Sequence, residues 1–236
     1  MKLFNKQRFQ FIERKRLKSY LTYAFGEIIL VVVGILIAVS INSYFNKKNL
    51  DDSNQELKSQ VIVQLEKDIK HIEEFEQELN TLNQAYLKVL DRPHDASKLN
   101  SSTVVATLLL NIKVLSLGNS ATNLIDNAQL NNSKDAKNML NLSSSYKLYL
   151  KSIDDTEAII FKAISDNLKA IEDSEDWYVE FITDFNCTPE CFTFLTTSKE
   201  HKARMASLRF LYVNVYNNIL NNFKTDLKWY LKTLKS

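Results

Sequence analysis

Three histidines and two cysteines are the side chains in this sequence that most often bind metals or act as nucleophiles. The histidines, His71, His94 and His201, are widely separated along the chain. A two-metal site inside a helical bundle needs a Glu-x-x-His step from each of two helices, and the nearest match is one run at residues 68–71, Asp-Ile-Lys-His. We interpret that run as part of a solvent-facing helix edge, and we predict neither a bound metal nor a cofactor.

Two groups of acidic residues are the other candidates for metal binding or acid–base chemistry. Neither group has the oxygen-ligand spacing of a calcium loop, and both are typical of solvated helix faces. The sequence also contains no Gly-x-Ser-x-Gly, no P-loop and no glycine-rich dinucleotide turn. We therefore predict that the protein is not an enzyme. The acidic residues are Glu73, Glu74, Glu76 and Glu78 in the first group and Glu172, Asp173, Glu175 and Asp176 in the second.

Cys187 and Cys191 are close in sequence, with Pro189 between them. Outside the cytoplasm such a pair is expected to form a disulfide that closes a tight turn, whereas two thiolates are too few for a structural zinc site. The cysteines lie in the most aromatic part of the chain, whose rings have two open interpretations: a rigid contact surface for a partner, or a plug at the end of a helical bundle. The rings are those of Trp177, Tyr178, Phe181, Phe185 and Phe192.

One apolar stretch determines where these residues lie relative to a membrane. Between Leu21 and Phe45 the only charged residue is Glu27, and about 20 mostly apolar residues are enough to cross a bilayer as a helix. The stretch is longer than the apolar region of a typical signal peptide, and no clear cleavage site follows it. We therefore predict an uncleaved signal anchor.

The charges around this stretch predict its orientation. Residues 1–20 are rich in lysine and arginine, and the positive-inside rule places such a segment in the cytoplasm. The prediction is a basic cytoplasmic segment at residues 1–20, a transmembrane helix at residues 21–45 and an external helical domain at residues 46–236.

A single face of the predicted transmembrane helix carries Glu27, Gly34, Ala38 and Ile41, because seven and eleven residues both return to nearly the same angle on a helix. Small residues four apart let a second helix approach closely. One interpretation is a packing face for a second copy of the chain or for another membrane protein. The other is that small residues are common in membrane spans and that Glu27 extends towards the lipid headgroups.

The run YLTYAFGEIILVVVGILIAVSIN at residues 20–42 resembles the N-terminal signature of a family of single-span membrane proteins from Bacteroidota to which no activity is assigned. A weaker match lies at residues 119–130, where this chain has Thr122 and Ala128 in place of the family's tyrosine and glycine. The resemblance implies a bacterial inner-membrane protein with its C-terminal domain in the periplasm. It implies no mechanism.

Beyond the membrane segment, apolar residues recur at alternating steps of three and four, which is the spacing of helices rather than of strands. This stripe predicts a helix at residues 51–91 that ends before Pro93. A second helical region is expected at residues 103–130, with an interruption near Gly118.

Ser133 and Ser198 are suited to cap two further long helices, because a serine side chain accepts a hydrogen bond from a free N–H of the first turn. Helices of similar length favour antiparallel packing. The predicted fold class is therefore all-α, with a single N-terminal transmembrane helix followed by an antiparallel long-helix bundle. An up-and-down connection would place residues 92–102 and 177–197 at the tip far from the membrane, and residues 117–133 near the membrane.

The last predicted helix ends in a stretch that is both basic and aromatic. Two interpretations stay open: contact with lipid headgroups, or the solvated face of a helix with two aromatic residues in the core. The residues are Lys224, Lys228, Trp229, Tyr230, Lys232 and Lys235.

The net charge of +2 carries no strong signature of nucleic-acid binding. The predicted partners are the lipid bilayer and either a second copy of the chain or a membrane protein that contacts the span. We predict a non-catalytic scaffold or accessory subunit that mediates protein–protein interaction. The alternative is a ligand-sensing helical bundle that signals through a membrane partner, because a cytoplasmic segment at residues 1–20 is too short to form an output domain.

Overall fold

The computed structural model describes residues 14–90 and 101–236, and it contains helices but no strand in those ranges. The predicted all-α class is therefore confirmed. Predictions that fall on residues 1–13 and 91–100 lie outside the described residues. They include most of the basic segment, His94 and most of the first tip connection.

A single helix, α1 (Arg14–Leu90), contains 77 residues. The chain divides into two compact units, Met1–Asn54 and Gln55–Ser236, which we call the N-terminal unit and the packed unit, and α1 contributes to both. Between Gly34 and Pro93 the sequence has neither glycine nor proline, so no residue in that range strongly opposes helix formation. The predicted transmembrane helix and the predicted first bundle helix are consequently one continuous helix.

The packed unit contains further helices of very different lengths. After α1 its described residues form α2 (Ser102–Leu110), α3 (Ser120–Asp126), α4 (Lys134–Glu172), α5 (Tyr178–Asp184), α6 (Pro189–Thr197), α7 (Lys199–Phe210), a π-helical segment (Leu211–Tyr216) and α8 (Asn217–Lys235).

The helix boundaries agree with the sequence at the serine caps. Ser133 Oγ accepts a hydrogen bond from the N–H of Ala136 at 3.1 Å, and Ser198 Oγ accepts one from the N–H of His201 at 3.3 Å, so both predicted caps are confirmed. The second helical region contains the predicted interruption near Gly118, but the interruption is longer than predicted. The region consists of α2 and α3, and residues 111–118 between them are not helical.

One apolar core runs through the packed unit, and the second part of α1, α4 and the run from α7 to α8 each contribute a stripe to it. The spacing of three and four predicted from the sequence thus describes the buried face of α4 and of the second part of α1. In the last helical run the stripe is shifted by one residue at the π-helical segment, so that Tyr216 is buried where the spacing predicts Val215. Representative core residues are Val61, Leu65, Ile72, Phe75 and Leu79 of α1, Met139, Leu142, Tyr146, Ile153, Ile160 and Ile164 of α4, and Met205, Leu208, Leu220, Phe223 and Leu227 of α7 and α8.

Ion pairs show that α8 runs antiparallel to the facing part of α1. Lys235 Nζ lies 2.5 Å from the Glu66 carboxylate, Lys228 Nζ lies 2.7 Å from the Glu73 carboxylate, and Lys224 pairs with Glu76. Residue numbers therefore rise along one helix as they fall along the other. Because these three lysines are bound to glutamates of the packed unit, they fit the helix-face interpretation of this stretch. Its expectation of two core aromatic residues is wrong for Trp229, which is 57% exposed, whereas Tyr230 packs against the core.

Contacts at the two ends of the packed unit show which connections lie together. The N–H of Cys187 donates to Ser102 Oγ at 3.2 Å, so the start of α2 and the turn before α6 lie at the same end. Lys58 pairs with Asp135 at 2.7 Å, so the first turn of α4 lies beside the first part of α1 that belongs to this unit.

Candidate functional site

The apolar stretch of the N-terminal unit is exposed on every face of α1. Its side chains are left uncovered by the described residues, with Leu30 at 74% exposure. This is the one helix of the described chain long and apolar enough to cross a membrane. Residues 21–45 extend about 38 Å at 1.5 Å per residue, against a hydrocarbon core of about 30 Å. Such a surface is unfavourable in water and requires an apolar cover.

The predicted packing face within this stretch is Glu27, Gly34, Ala38 and Ile41, and all four residues are exposed. A Cβ atom added to Gly34 meets nothing within 4 Å. The absence of a side chain at Gly34 therefore serves no contact in the described fold and leaves room for another helix. That this face binds a second helix stays a prediction.

The five aromatic residues of the predicted contact tip do not share one exposed surface. Trp177 and Phe181 are buried, with ring centroids 6.2 Å apart, whereas Tyr178 and Phe192 are half-buried and Phe185 is exposed. A contact surface that includes Trp177 and Phe181 is therefore wrong, because both rings fill the core. For these two residues the plug interpretation holds.

Cys187 and Cys191 are joined in a disulfide with their Cα atoms 5.3 Å apart. Pro189 begins α6, and Thr188 Oγ1 accepts a hydrogen bond from the N–H of Cys191 at 3.3 Å. Both cysteines are buried, so the pair offers neither a reactive thiol nor a metal ligand. Closing so short a loop stabilises the turn by about 2 kcal/mol at most.

A buried carboxylate in α1 is a feature that the sequence interpretation missed. Asp68 is 5% exposed and accepts hydrogen bonds from the Tyr146 hydroxyl at 2.6 Å and from Gln64 Nε2 at 2.9 Å. The solvent-facing interpretation of residues 68–71 is thus wrong for Asp68 and correct for His71, which is exposed. Burial raises the pKa of the Asp68 carboxyl, and the hydrogen bond from Tyr146 offsets part of that rise.

Two tyrosines of the π-helical segment hold the backbone of residues 111–118. The Tyr212 hydroxyl accepts a hydrogen bond from the N–H of Lys113 at 3.0 Å, and the Tyr216 hydroxyl accepts one from the N–H of Leu115 at 3.0 Å. Tyr216 in turn donates to Glu157. Burial raises the pKa of Tyr212 to about 12. These phenols supply partners that a non-helical segment needs for its N–H groups.

A buried histidine lies at the end of the packed unit that contains α2 and α6. His201 is 1% exposed, and burial lowers its pKa to about 4, with a smaller contribution from nearby Arg204. Its Nδ1 atom has no hydrogen-bond partner among the described residues. The adjoining cavity, which Val89 and Leu195 also border, has a volume of about 10 Å³. A neutral imidazole beside a space no larger than one water is suited to packing rather than to acid–base catalysis.

The sequence indicates these buried polar groups only weakly. Asp68 occupies a stripe position beside Ile69, and Tyr146 and Tyr216 lie on apolar stripes of their helices. A polar residue on a core stripe is the pattern that indicates a buried hydrogen bond. Its partner is not visible in the sequence, because Tyr146 lies 78 positions from Asp68.

Comparison with protein-family models, with curated proteins and with solved structures finds no significant match to this chain. The resemblance to the Bacteroidota family therefore stays a prediction from the residues that carry it.

Proposed function

We propose that this protein is a membrane-anchored scaffold or accessory subunit that mediates protein–protein interaction without catalysis. The observation that carries the proposal is the division of α1. Its first part exposes apolar side chains on all faces, and its second part buries a single stripe in a packed core. The first pattern suits a helix in lipid, and the second suits a helix in a water-soluble helical domain.

The proposed topology places residues 1–20 in the cytoplasm of a bacterium, residues 21–45 in the inner membrane and residues 46–236 in the periplasm as an antiparallel helical bundle. The basic residues before the apolar stretch support this orientation. The disulfide between Cys187 and Cys191 supports an oxidising compartment for the C-terminal domain.

A non-catalytic role is supported by the use that the packed unit makes of its buried and half-buried polar groups. Asp68 is bound by Tyr146, and Glu157 is bound by Tyr216. These carboxylates and phenols hold helices and a non-helical segment together, which is a structural task.

The ligand-sensing alternative is favoured by one groove between α1 and α2. It has a volume of about 410 Å³ and combines Leu82, Ala85 and Val104 with the polar side chains of Glu78 and Lys113. Its size falls within the range of small-molecule sites. A sensor would show a melting-temperature shift with a small molecule, and Ala85→Trp, which fills the groove, would abolish that shift.

The topology is tested by a cleavable tag at the C-terminus and protease treatment of spheroplasts. The proposal expects cleavage in intact spheroplasts, since residues 46–236 lie outside the cytoplasm. A tag that is cut only after the inner membrane is lysed would contradict the topology and the compartment together.

The packing face of the span is tested by crosslinking in native membranes. Gly34→Leu is expected to reduce a crosslinked assembly about tenfold, because it fills the space that a second helix would occupy. Gly26→Leu is the matched control, since Gly26 is equally open and lies about 100° from Glu27 around the helix. Equal crosslinking in both variants would exclude this face as the contact.

A further inference from the structure

The short helix α5 presents an apolar face to solvent. Val179 is 72% exposed, Ile182 is 38% exposed and Phe185 is 58% exposed. Val179 and Ile182 are three residues apart and are therefore neighbours on one side of the helix, and Phe185 follows as its C-terminal cap. Phe181 of the same helix is buried in the core.

Phe185 is also held in an unfavourable backbone conformation. Among the described non-glycine residues, Phe185 is the one with a positive φ, and its angles are φ 53° and ψ 30°. It caps the C-terminus of α5 in the left-handed region. Glycine is the usual residue at such a position because it has no Cβ. A phenylalanine here has an unfavourable backbone conformation and also exposes a large apolar ring to solvent. Positions that depart from such local preferences are concentrated at functional sites.

A groove beside this apolar face has an acidic rim. It has a volume of about 470 Å³ and is formed by residues 172–176 together with Tyr178, Val179, Ile182 and Thr183. Lys169 pairs with Asp173 at 2.6 Å at one edge. Residues 170–198 contain no lysine or arginine. The acidic residues in this range are Glu172, Asp173, Glu175, Asp176, Glu180, Asp184 and Glu190.

We infer that the surface formed by Val179, Ile182 and Phe185, with Glu175 and Asp176 at its rim, binds a segment of a partner protein in which lysine or arginine residues flank a large apolar side chain. The apolar face supplies contact area, and the acidic rim selects a positively charged partner. The inference rests on the proposed scaffold function and names the chemistry of one partner.

The charge of the rim argues against the other occupants of this surface. A second copy bound through the same face would bring like charges together, because a two-fold contact pairs a surface with itself. An anionic membrane surface would be repelled for the same reason.

The experiment uses the full chain in nanodiscs of phosphatidylcholine, which carry no net charge. The probe is a fluorescein-labelled amphipathic peptide of leucine and lysine, and its binding is followed by anisotropy against empty nanodiscs. The expected result is saturable binding that weakens as salt is added. Equal binding of the matched leucine–glutamate peptide would overturn the inference.

Two variants separate the surface from the fold. Phe185→Gly removes the ring and relieves the left-handed conformation, so the peptide should bind about tenfold more weakly while the melting temperature does not fall. Asp176→Lys should weaken binding about threefold at low salt. The controls are Phe161→Ala and Asp154→Lys, which make similar changes on the exposed part of α4 and should leave the affinity unchanged.

Wild-type affinity in Phe185→Gly, or an equal loss in Phe161→Ala, would overturn the inference. Its failure differs from failure of the proposed function. If the peptide does not bind but the C-terminus is periplasmic, only the inferred docking surface is contradicted. If the C-terminus is cytosolic, the proposed topology is contradicted, whereas the result of the peptide experiment still stands.

Discussion

The two parts of α1 differ in how their apolar side chains are arranged around the helix. In residues 21–45 apolar side chains surround the helix, and the described residues leave them exposed. In residues 57–89 the apolar side chains form a stripe, and Leu65 and Ile72 on that stripe are fully buried. The comparison shows that a continuous backbone can carry one pattern suited to lipid and another suited to a protein core, because helix formation is local and burial is not.

The same contrast applies to the acidic residues of the two parts. Glu27 is the charged residue of the apolar stretch and is exposed. Asp68 lies in the core and is bound by the Tyr146 hydroxyl at 2.6 Å. The packed unit therefore contains the partner of its buried carboxylate, whereas the two interpretations of the predicted packing face pair Glu27 with another helix or with the lipid headgroups.

The largest expected effect comes from shortening matched isoleucines in the two parts. Ile72→Ala should lower the free energy of unfolding of the packed unit by about 2–5 kcal/mol, because the side chain is fully buried and leaves a cavity. Ile37→Ala, on the exposed stretch, should leave that free energy nearly unchanged. Urea unfolding in detergent, followed by circular dichroism, measures both, and comparable losses would show that residues 21–45 belong to the same cooperative core.

A smaller effect is expected from the ion pairs between α1 and α8. Lys224→Met should destabilise the packed unit by about 2 kcal/mol, since it leaves the mostly buried Glu76 carboxylate without its cation. Lys228→Met should have a much smaller effect, because its pair with Glu73 is about half exposed. The unfolding midpoints of the two variants, at equal slope, measure the difference. The reverse order would contradict the burial of the Glu76 pair.

The smallest expected effect is a change in the pH dependence of stability. The pKa of Asp68 is raised in the folded state, so folding is favoured when the group is protonated, and its contribution is lost as pH rises from the ordinary value near 3.8 through the folded pKa. Asp68→Asn removes this titration. The stability of the variant relative to wild type should therefore increase as pH rises through that window, and parallel pH curves would contradict it.

Sequence patterns predicted the helical elements and several of their boundaries. The steps of three and four among apolar residues predicted the buried stripes, and Ser133 and Ser198 predicted two caps, because these signals depend on residues within one or two turns. The same local signals predicted an interruption near Gly118 in the region at residues 103–130, but not that its non-helical segment extends over residues 111–118. Its non-helical segment is stabilised by Tyr212 and Tyr216, which lie 99 and 101 positions from the N–H groups they bind.

The candidate surfaces were predicted less completely than the helices. Composition identified the aromatic region that contains both cysteines, but Trp177 and Phe181 are buried, and the exposed side chains of α5 also include Val179 and Ile182. Aromatic rings suit a core and a contact surface equally well, so burial had to be determined by the packing of α4, α5 and α6.

By itself, the sequence determined that the chain is helical, that its first helix contains a long apolar stretch and that the following helices each carry one apolar stripe. The physical reason is that backbone preference and periodicity act over a few residues. Only the tertiary structure decided that Asp68 meets Tyr146, that His201 is buried and neutral, and that Phe185 projects into solvent from a left-handed turn. Each of those outcomes depends on which distant residues come together, and the free energy of a buried polar group or an exposed ring is set by those neighbours.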